Sequence, residues 1–257
     1  MFILVGCEES QAVCIEMRKA GHQAYSCDLK PCSGDHPEWH LQMDVFKAIR
    51  GGRLTTQAGN SVFVSKWDMG IFFPDCTFLT ISAEWCYKDQ PALKSGKLTG
   101  EARRRAREDA LCFVRDLMNC GIPKISIENP IGVIGTRIFW YSGGENGNAR
   151  WEVFPRKLEH GSRKPDQIIQ PYQFGEDASK STCLWLTGLP KLIPTSYFPP
   201  RIVNGEKRWG NQTDTGQNKL PPSEKRAELR SKTYKGIAEQ MAHQWTKQDT
   251  ISTPELF

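Results

Sequence analysis

Residues 1–28 read MFILVGCEESQAVCIEMRKAGHQAYSCD. Phe2 to Gly6 is a continuous apolar run, short enough to be a buried strand. Gln11 to Lys19 mixes polar and apolar residues at helical spacing, and Gly21 supplies a stop signal after it. Gln23 to Cys27 is a second strand-like run that ends at Asp28. Strand, helix and strand in succession, repeated along the first half of the chain, predict a parallel sheet with crossover helices.

Working outward, a third short strand is expected just before Asp44. Trp67 to Phe73 reads as a fourth, ending at Pro74, where a central strand cannot easily continue. Glu101 to Asn119 is a helix with Ala106, Leu111, Val114, Leu117 and Met118 on one face. Its first turns carry Arg103, Arg104, Arg105 and Arg107, which oppose the helix dipole and read as a solvated face ahead of a phosphate-binding patch. Lys124 to Ile127 reads as a fifth strand that breaks at Glu128-Asn129-Pro130. Arg230 to Trp245 reads as a late amphipathic helix with Ile237, Met241 and Trp245 inward. Tyr141–Asn148 and Pro190–Pro222, rich in turn-forming residues, predict long surface loops, the usual place for substrate recognition. The expected organisation is an α/β catalytic core, residues 1–131 and 223–248, with helices on both faces of a mostly parallel sheet. A loop-rich recognition region spans 132–222, and 249–257 is expected to be a flexible tail.

A chain of 257 residues with 39% hydrophobic residues has material for one substantial α/β domain and a modest appendage. No run approaches the roughly 18 apolar residues that a membrane-spanning helix needs. The apolar N-terminal run is too short for a signal sequence and meets Glu8 and Glu9 soon after. Nine cysteines, an odd number scattered through predicted elements, fit free thiols in a reducing compartment, and a cytoplasmic location is expected. The net charge of +5, from 34 basic and 29 acidic residues, permits a polyanionic partner without requiring one.

In open α/β sheets ligands bind outside the carboxyl ends of the strands. The residues at those ends are Gly6 to Ser10, Asp28, Asp44, Pro74 to Cys76, and Glu128 to Pro130. Asp28 could accept hydrogen bonds from ribose hydroxyls and Asp44 from an adenine amino group; each alone reads more readily as a cap or turn residue, and only their joint placement favours the ligand. Phe73-Pro74-Asp75-Cys76-Thr77 puts a thiol on a loop after a buried strand, at the start of a possible helix whose positive end would favour thiolate. A lone cysteine is more often a small buried hydrophobe, the role assigned to Cys7, Cys14, Cys27, Cys112, Cys120 and Cys183. Cys76 differs because Glu128-Asn129-Pro130 is expected at a neighbouring strand end. A buried Glu can hold a proton and bond a ring nitrogen. Thiol and carboxyl together suit addition to carbon 6 of a pyrimidine, which makes carbon 5 carbanion-like and able to attack a methyl group.

Val5-Gly6-Cys7-Glu8-Glu9-Ser10, Ser26-Cys27-Asp28-Leu29, Asp44-Val45, Pro74-Asp75-Cys76-Thr77 and Glu128-Asn129-Pro130-Ile131-Gly132 are the main landmarks of a resemblance through nearly the whole chain. Gln170-Pro171-Tyr172-Gln173-Phe174-Gly175, Cys183-Leu184-Trp185-Leu186 and Thr233-Tyr234-Lys235-Gly236 extend it. The chain resembles the DNA (cytosine-5)-methyltransferase family, and more closely the compact phage-type DNA cytosine methyltransferase-like proteins. The resemblance implies a Rossmann-like methyltransferase fold, S-adenosyl-L-methionine as cofactor, DNA as partner and a phage or prophage origin in a bacterial host. It implies that Cys76 is the nucleophile, that Glu128 contacts the cytosine and that Asn129 belongs to the same catalytic group. Gly6, Cys7, Glu8, Glu9 and Ser10 would line the methionine end of the cofactor, Asp28 and Leu29 its ribose, Asp44 and Val45 its adenine, with Pro74 beside them. Asp75, Thr77, Pro130 and Arg137 would face the substrate.

The larger enzymes of the family carry Pro-Cys where Asp75-Cys76 stands and a glycine-rich first loop where Glu8-Glu9-Ser10-Gln11 stands, and an Arg-x-Arg catalytic pair for which this chain offers no convincing match. A carboxylate beside the thiol would raise its pKa. Arg137, Arg150, Arg156, Lys157, Arg163 and Lys164, interleaved with Trp140, Tyr141 and Trp151, read equally as phosphate contacts and as ordinary solvated charges on a loop insertion. Two other functions suit the same residues: carbon-5 modification of a free pyrimidine nucleotide, and DNA binding without catalysis. Cys27, Cys32, His36 and His40 have a superficially zinc-like spacing, but Cys27 is expected to face the sheet core and no metal is assigned.

Overall fold

The alternation in the first half of the chain becomes a central sheet in the computed structural model, which describes residues 1–91, 93–141, 149–153, 162–221, 223 and 226–247. In chain order the elements are β1 (Phe2–Gly6), α1 (Ala12–Lys19), β2 (Gln23–Asp28), β3 (His40–Gln42), α2 (Val45–Ile49), β4 (Gly52–Thr55), β5 (Ser61–Val64), β6 (Met69–Phe72) and α3 (Gly100–Met118). Then follow β7 (Ile125–Pro130), α4 (Ile134–Arg137), β8 (Ile138–Tyr141), β9 (Arg150–Val153), β10 (Gln167–Ile169), β11 (Thr182–Thr187), β12 (Arg201–Val203), β13 (Glu206–Arg208), α5 (Arg226–Ser231) and α6 (Lys235–Trp245).

Seven strands form one sheet in the order β10-β11-β7-β6-β1-β2-β3. β3, β2, β1, β6 and β7 run parallel, and β11 runs antiparallel to both β7 and β10. The result is an α/β protein with a mostly parallel sheet, compatible with a Rossmann-like fold. The chain reverses its direction of travel across the sheet between β1 and β6, which opens a crevice at their carboxyl ends.

Alternation along the strands sorts the core to two faces. Ile3 and Val5 of β1 pack with Val13 and Met17 of α1 and with Ile237, Met241 and Trp245 of α6. Leu4 packs on the other face with Val45 and Ala48 of α2 and Leu111, Val114 and Leu117 of α3. Trp245 is fully enclosed and its indole N–H donates to the Pro190 carbonyl at 2.9 Å, which fixes the end of α6 against the β11 side. Among the described residues no helix is long and apolar enough to cross a membrane.

Several expectations need correction. β7 does not break before Glu128 but runs on through Pro130, because β11 pairs along its whole length, Thr182 opposite Pro130 and Leu184 opposite Glu128. The late helix is two helices, α5 and α6, parted at Lys232–Tyr234, where the Gly236 N–H donates to Glu176. The β4–β5 hairpin, between Gly52 and Val64, was not expected, and the loop stretch Pro190–Pro222 contains the hairpin β12–β13. Residues 142–148 and the tail 249–257 lie outside the described residues.

Candidate functional site

Cys76 lies just past β6, in a turn held by its neighbours. The Asp75 carboxylate accepts from the Thr77 N–H at 2.9 Å and from the Thr77 hydroxyl at 2.6 Å. The Cys76 carbonyl accepts from the Leu79 and Thr80 N–H groups at 3.0 and 3.1 Å. That single turn does not become a helix, since Thr80 bridges to Gly132 and the chain next coils only at the short 3-10 turn Glu84–Tyr87. The expected helix end favouring thiolate is therefore absent here. Instead, burial pushes the half-buried Cys76 thiol up, the Asp75 and Glu128 carboxylates push the same way, and the Lys180 ammonium opposes them.

Glu128, on β7, is almost fully buried. Burial holds its carboxyl above the ordinary carboxylate range, while Lys180 and a hydrogen bond from Thr182 pull it down. Glu128, Lys180 and Thr182 line a small cavity closed by Tyr234, Ile237 and Met241. Lys180, which the sequence reading missed, thus acts electrostatically on both Cys76 and Glu128. It follows an irregular stretch with no periodicity, so no local signal marks it. Asn129, the next residue along β7, donates from Nδ2 to the Pro74 carbonyl at 2.8 Å and ties the Cys76 loop to the sheet. Its Oδ1 is buried with no partner among the described residues. Pro130 ends the same strand opposite Thr182.

Two arginines read as a solvated face are buried and clamp the loop beyond Cys76. Arg107 donates to the Phe78 and Thr80 carbonyls at 2.8 and 3.1 Å and to Glu84 at 2.6 Å. Its guanidinium lies 3.5 Å from the Tyr87 ring centre and that of Arg103 lies 4.8 Å from it, an arrangement that favours cation–π attraction. Arg104 and Arg105 remain exposed. The spacing did hold a signal: Arg103, Arg107, Leu111 and Val114 recur at helical intervals on one face.

The segment after β7 closes on the same loop from the other side. The Val133 N–H donates to the Leu79 carbonyl at 2.8 Å, and a Cβ at Gly132 would collide with that carbonyl oxygen. Gly132→Ala is expected to lower stability by roughly 1–3 kcal/mol, the range for overpacking. Urea unfolding checks this, and an unchanged midpoint would contradict the close approach.

The first loop, Gly6 to Gln11, keeps glycine-type turns without glycine: Cys7 and Gln11 have φ of 60° and 59°. The left-handed region disfavours residues with a Cβ, so packing must hold these two in place. Gln11 is fully buried and bonds Ser26, the His36 carbonyl and the His36 N–H. A Cβ at Gly6 would press on Phe72 and Val45, so this glycine is required by the sheet's contact with α2. The Glu8 carboxylate accepts from the Val13 and Cys14 N–H groups at 2.7 and 3.3 Å and occupies the N-terminus of α1. Its side chain is thus turned into the fold, while Glu9 accepts from Ser33. Asp28 accepts from the Lys30 N–H at 2.9 Å, with Leu29 exposed beside it. Asp44 caps α2 by accepting from the Phe46 and Lys47 N–H groups, and Val45 is buried. Burial raises the Cys7 thiol, and the carboxylates of Asp28, Asp44 and Asp75 push it the same way, so all three lie within electrostatic reach of that residue.

The candidate phosphate contacts are largely committed elsewhere. Arg137 pairs with Glu108, Arg150 with Glu152, and Arg163 with Asp166. Arg156 and Lys157 lie outside the described residues. At the zinc-like set, the Cys27 thiol donates to the Met43 carbonyl, His40 uses both ring nitrogens on Ser26 and the Lys30 carbonyl, and His36 faces Glu38. No protein-family model matches the chain, and no curated protein matches its sequence.

Proposed function

We propose that the protein is a transferase that attacks a pyrimidine ring through a thiol. In particular, we propose that it methylates carbon 5 of cytosine in DNA with S-adenosyl-L-methionine as donor. The observation that carries this reading is that the Cys76 loop past β6 is tied to β7 through the Asn129–Pro74 hydrogen bond, one residue from Glu128, which lines a cavity with Lys180. The motif resemblance supports it.

The residues present suit this cofactor better than a dinucleotide. A pyrophosphate is ordinarily received by the free N–H groups of the first helix, but here the Glu8 carboxylate already takes two of them. The antiparallel β11, placed between β7 and β10, likewise departs from the six-strand dinucleotide order. Carboxylates of Asp28, Asp44 and Asp75 around Cys7 favour a ligand with positive charge, as a sulfonium has. Asp28 and Asp44 would hold the ribose and adenine, with the backbone of Gly6 to Ser10 beside the methionine end. When bound, S-adenosyl-L-methionine supplies an electrophilic methyl group.

The Cys76 thiol loses its proton to solvent and the thiolate adds to carbon 6 of the ring; once carbon 5 carries the methyl group, loss of the carbon 5 proton and departure of the Cys76 thiolate restore the ring and free the enzyme. The Glu128 carboxyl, which burial shifts toward its protonated form, hydrogen-bonds nitrogen 3 and stabilises the electron pair that builds toward carbon 5. Lys180 offsets the thiolate's charge. Asn129 fixes the Pro74 carbonyl, and Arg107 fixes the Phe78 and Thr80 carbonyls, so that the sulfur keeps one position. In duplex DNA the base must first leave the stack, at a cost of a few kcal/mol.

Incubation with 5-fluorocytosine DNA and S-adenosyl-L-methionine tests the reading, because fluorine at carbon 5 blocks release of the enzyme. A complex that survives denaturation, with its crosslink at Cys76, is the expected result. Label passing to dCMP and not to DNA would make the substrate a free nucleotide, and failure to bind the cofactor in calorimetry would overturn the enzymatic reading.

A further inference from the structure

The segment that follows β11 is cationic: residues 191–221 hold five cations, Lys191, Arg201, Lys207, Arg208 and Lys219, against two acids, Glu206 and Asp214. At its centre β12 and β13 form a sheet of their own, paired Arg201 to Arg208, Ile202 to Lys207 and Val203 to Glu206. Asn204 and Gly205, with φ of 51° and 79°, close it in a two-residue turn whose twist matches the strands and pins the register. A two-stranded hairpin is marginal in water by itself. This one is braced at its root, where Trp209 stacks on Tyr172 at 4.2 Å and donates to the Phe198 carbonyl at 3.1 Å.

The same root is attached to the catalytic side. Gly210 donates to Asp177 at 2.6 Å, and Asn211 exchanges two hydrogen bonds of 3.0 Å with the backbone of Ser179, next to Lys180. The outward face of the ribbon carries Ile202, 64% exposed, opposite the exposed Lys207, which makes no ion pair with a described residue. Arg201 and Arg208, in contrast, pair with Asp214 and Glu206. Tyr197 stands exposed beside this surface, its ring edge against Tyr172.

We infer that the hairpin β12–β13 is the element that enters a groove of duplex DNA, Lys207 meeting a phosphate and Ile202 making the apolar contact inside the groove. This rests on the reading of DNA as substrate. A two-stranded ribbon fits the major groove, and apolar wedges beside cations are how proteins open a base step. An isolated, rigidly rooted ribbon with an apolar residue and an unpaired cation on its outer face suits such a partner, and its tie to Ser179 sets it beside Glu128 and Lys180.

Anisotropy with a short fluorescent cytosine-containing duplex, titrated across salt concentrations, tests it. Lys207→Gln is expected to weaken binding several-fold and to lower the slope of log affinity against log salt by about one. Ile202→Ser is expected to weaken binding by a similar factor with the slope unchanged. Lys66→Gln, an exposed cation before the amino end of β6, serves as the control and is expected to change nothing. Circular dichroism of each variant confirms that the fold is kept. Wild-type binding that neither hairpin variant weakens, or a loss in the control equal to that of Lys207→Gln, overturns the inference while leaving the methyltransferase reading intact. A wild-type chain that methylates dCMP but binds no duplex removes DNA as the substrate itself.

Discussion

Cys76→Ser is expected to lower methyl incorporation by at least about three orders of magnitude, the scale of losing a covalent nucleophile. Serine is close in size, so the turn held by Asp75, Thr77, Leu79 and Thr80 should persist and DNA affinity should change little. Filter assays of labelled methyl transfer, with anisotropy for binding, separate the two effects. Equal loss of binding and turnover would mean that the sulfur holds the loop and does not attack. The thiol's surroundings add a pH signature. Burial, Asp75 and Glu128 raise it above its ordinary value of 9.0, so in the free protein the thiolate is scarce at neutral pH. Alkylation of Cys76 by iodoacetamide should therefore keep accelerating beyond the ordinary thiol range, and an alkylation rate already level at neutral pH would contradict the electrostatics described above.

The parallel half of this fold was legible because β1, α1 and β2 are local: a buried run, a helical period and a glycine stop each state their own geometry. The continuation of β7 through Pro130 was not, since it depends on β11, whose Thr182 pairs with Pro130 from far along the chain. The same distinction runs through the candidate site. Cys76 and Glu128 stand near strand ends that local patterns locate, whereas Lys180 arrives from an irregular segment positioned by Gln170 and Asn211. Arg103 and Arg107 were misread because charge on a helix is usually solvated. Here the cost of burying guanidinium is offset by the Tyr87 ring and, for Arg107, by the loop carbonyls and Glu84.

Glu8 leads to a second large effect, on stability. Two N–H groups at the start of α1 pull its carboxyl pKa down, burial pushes it up, and burial wins, moving it from 4.5 to about 7. Between those values the folded chain binds the proton that the unfolded chain releases, so stability falls as pH rises through the window and levels off above about pH 7. A shift of this size corresponds to roughly 3 kcal/mol. Glu8→Gln retains an oxygen to accept from Val13 but cannot ionise. It is expected to be the more stable protein by up to about 3 kcal/mol near pH 8 and to equal the wild type below the unfolded carboxyl range. Urea unfolding across that range checks it. Glu128 is raised as well and tilts the wild-type curve in the same direction, so the difference between the two proteins, rather than either curve, isolates Glu8. Parallel curves would mean that Glu8 does not titrate in this window. A clear divergence would mean that the carboxyl at the α1 N-terminus keeps its proton up to about pH 7 in the folded chain and turns into a carboxylate only above it.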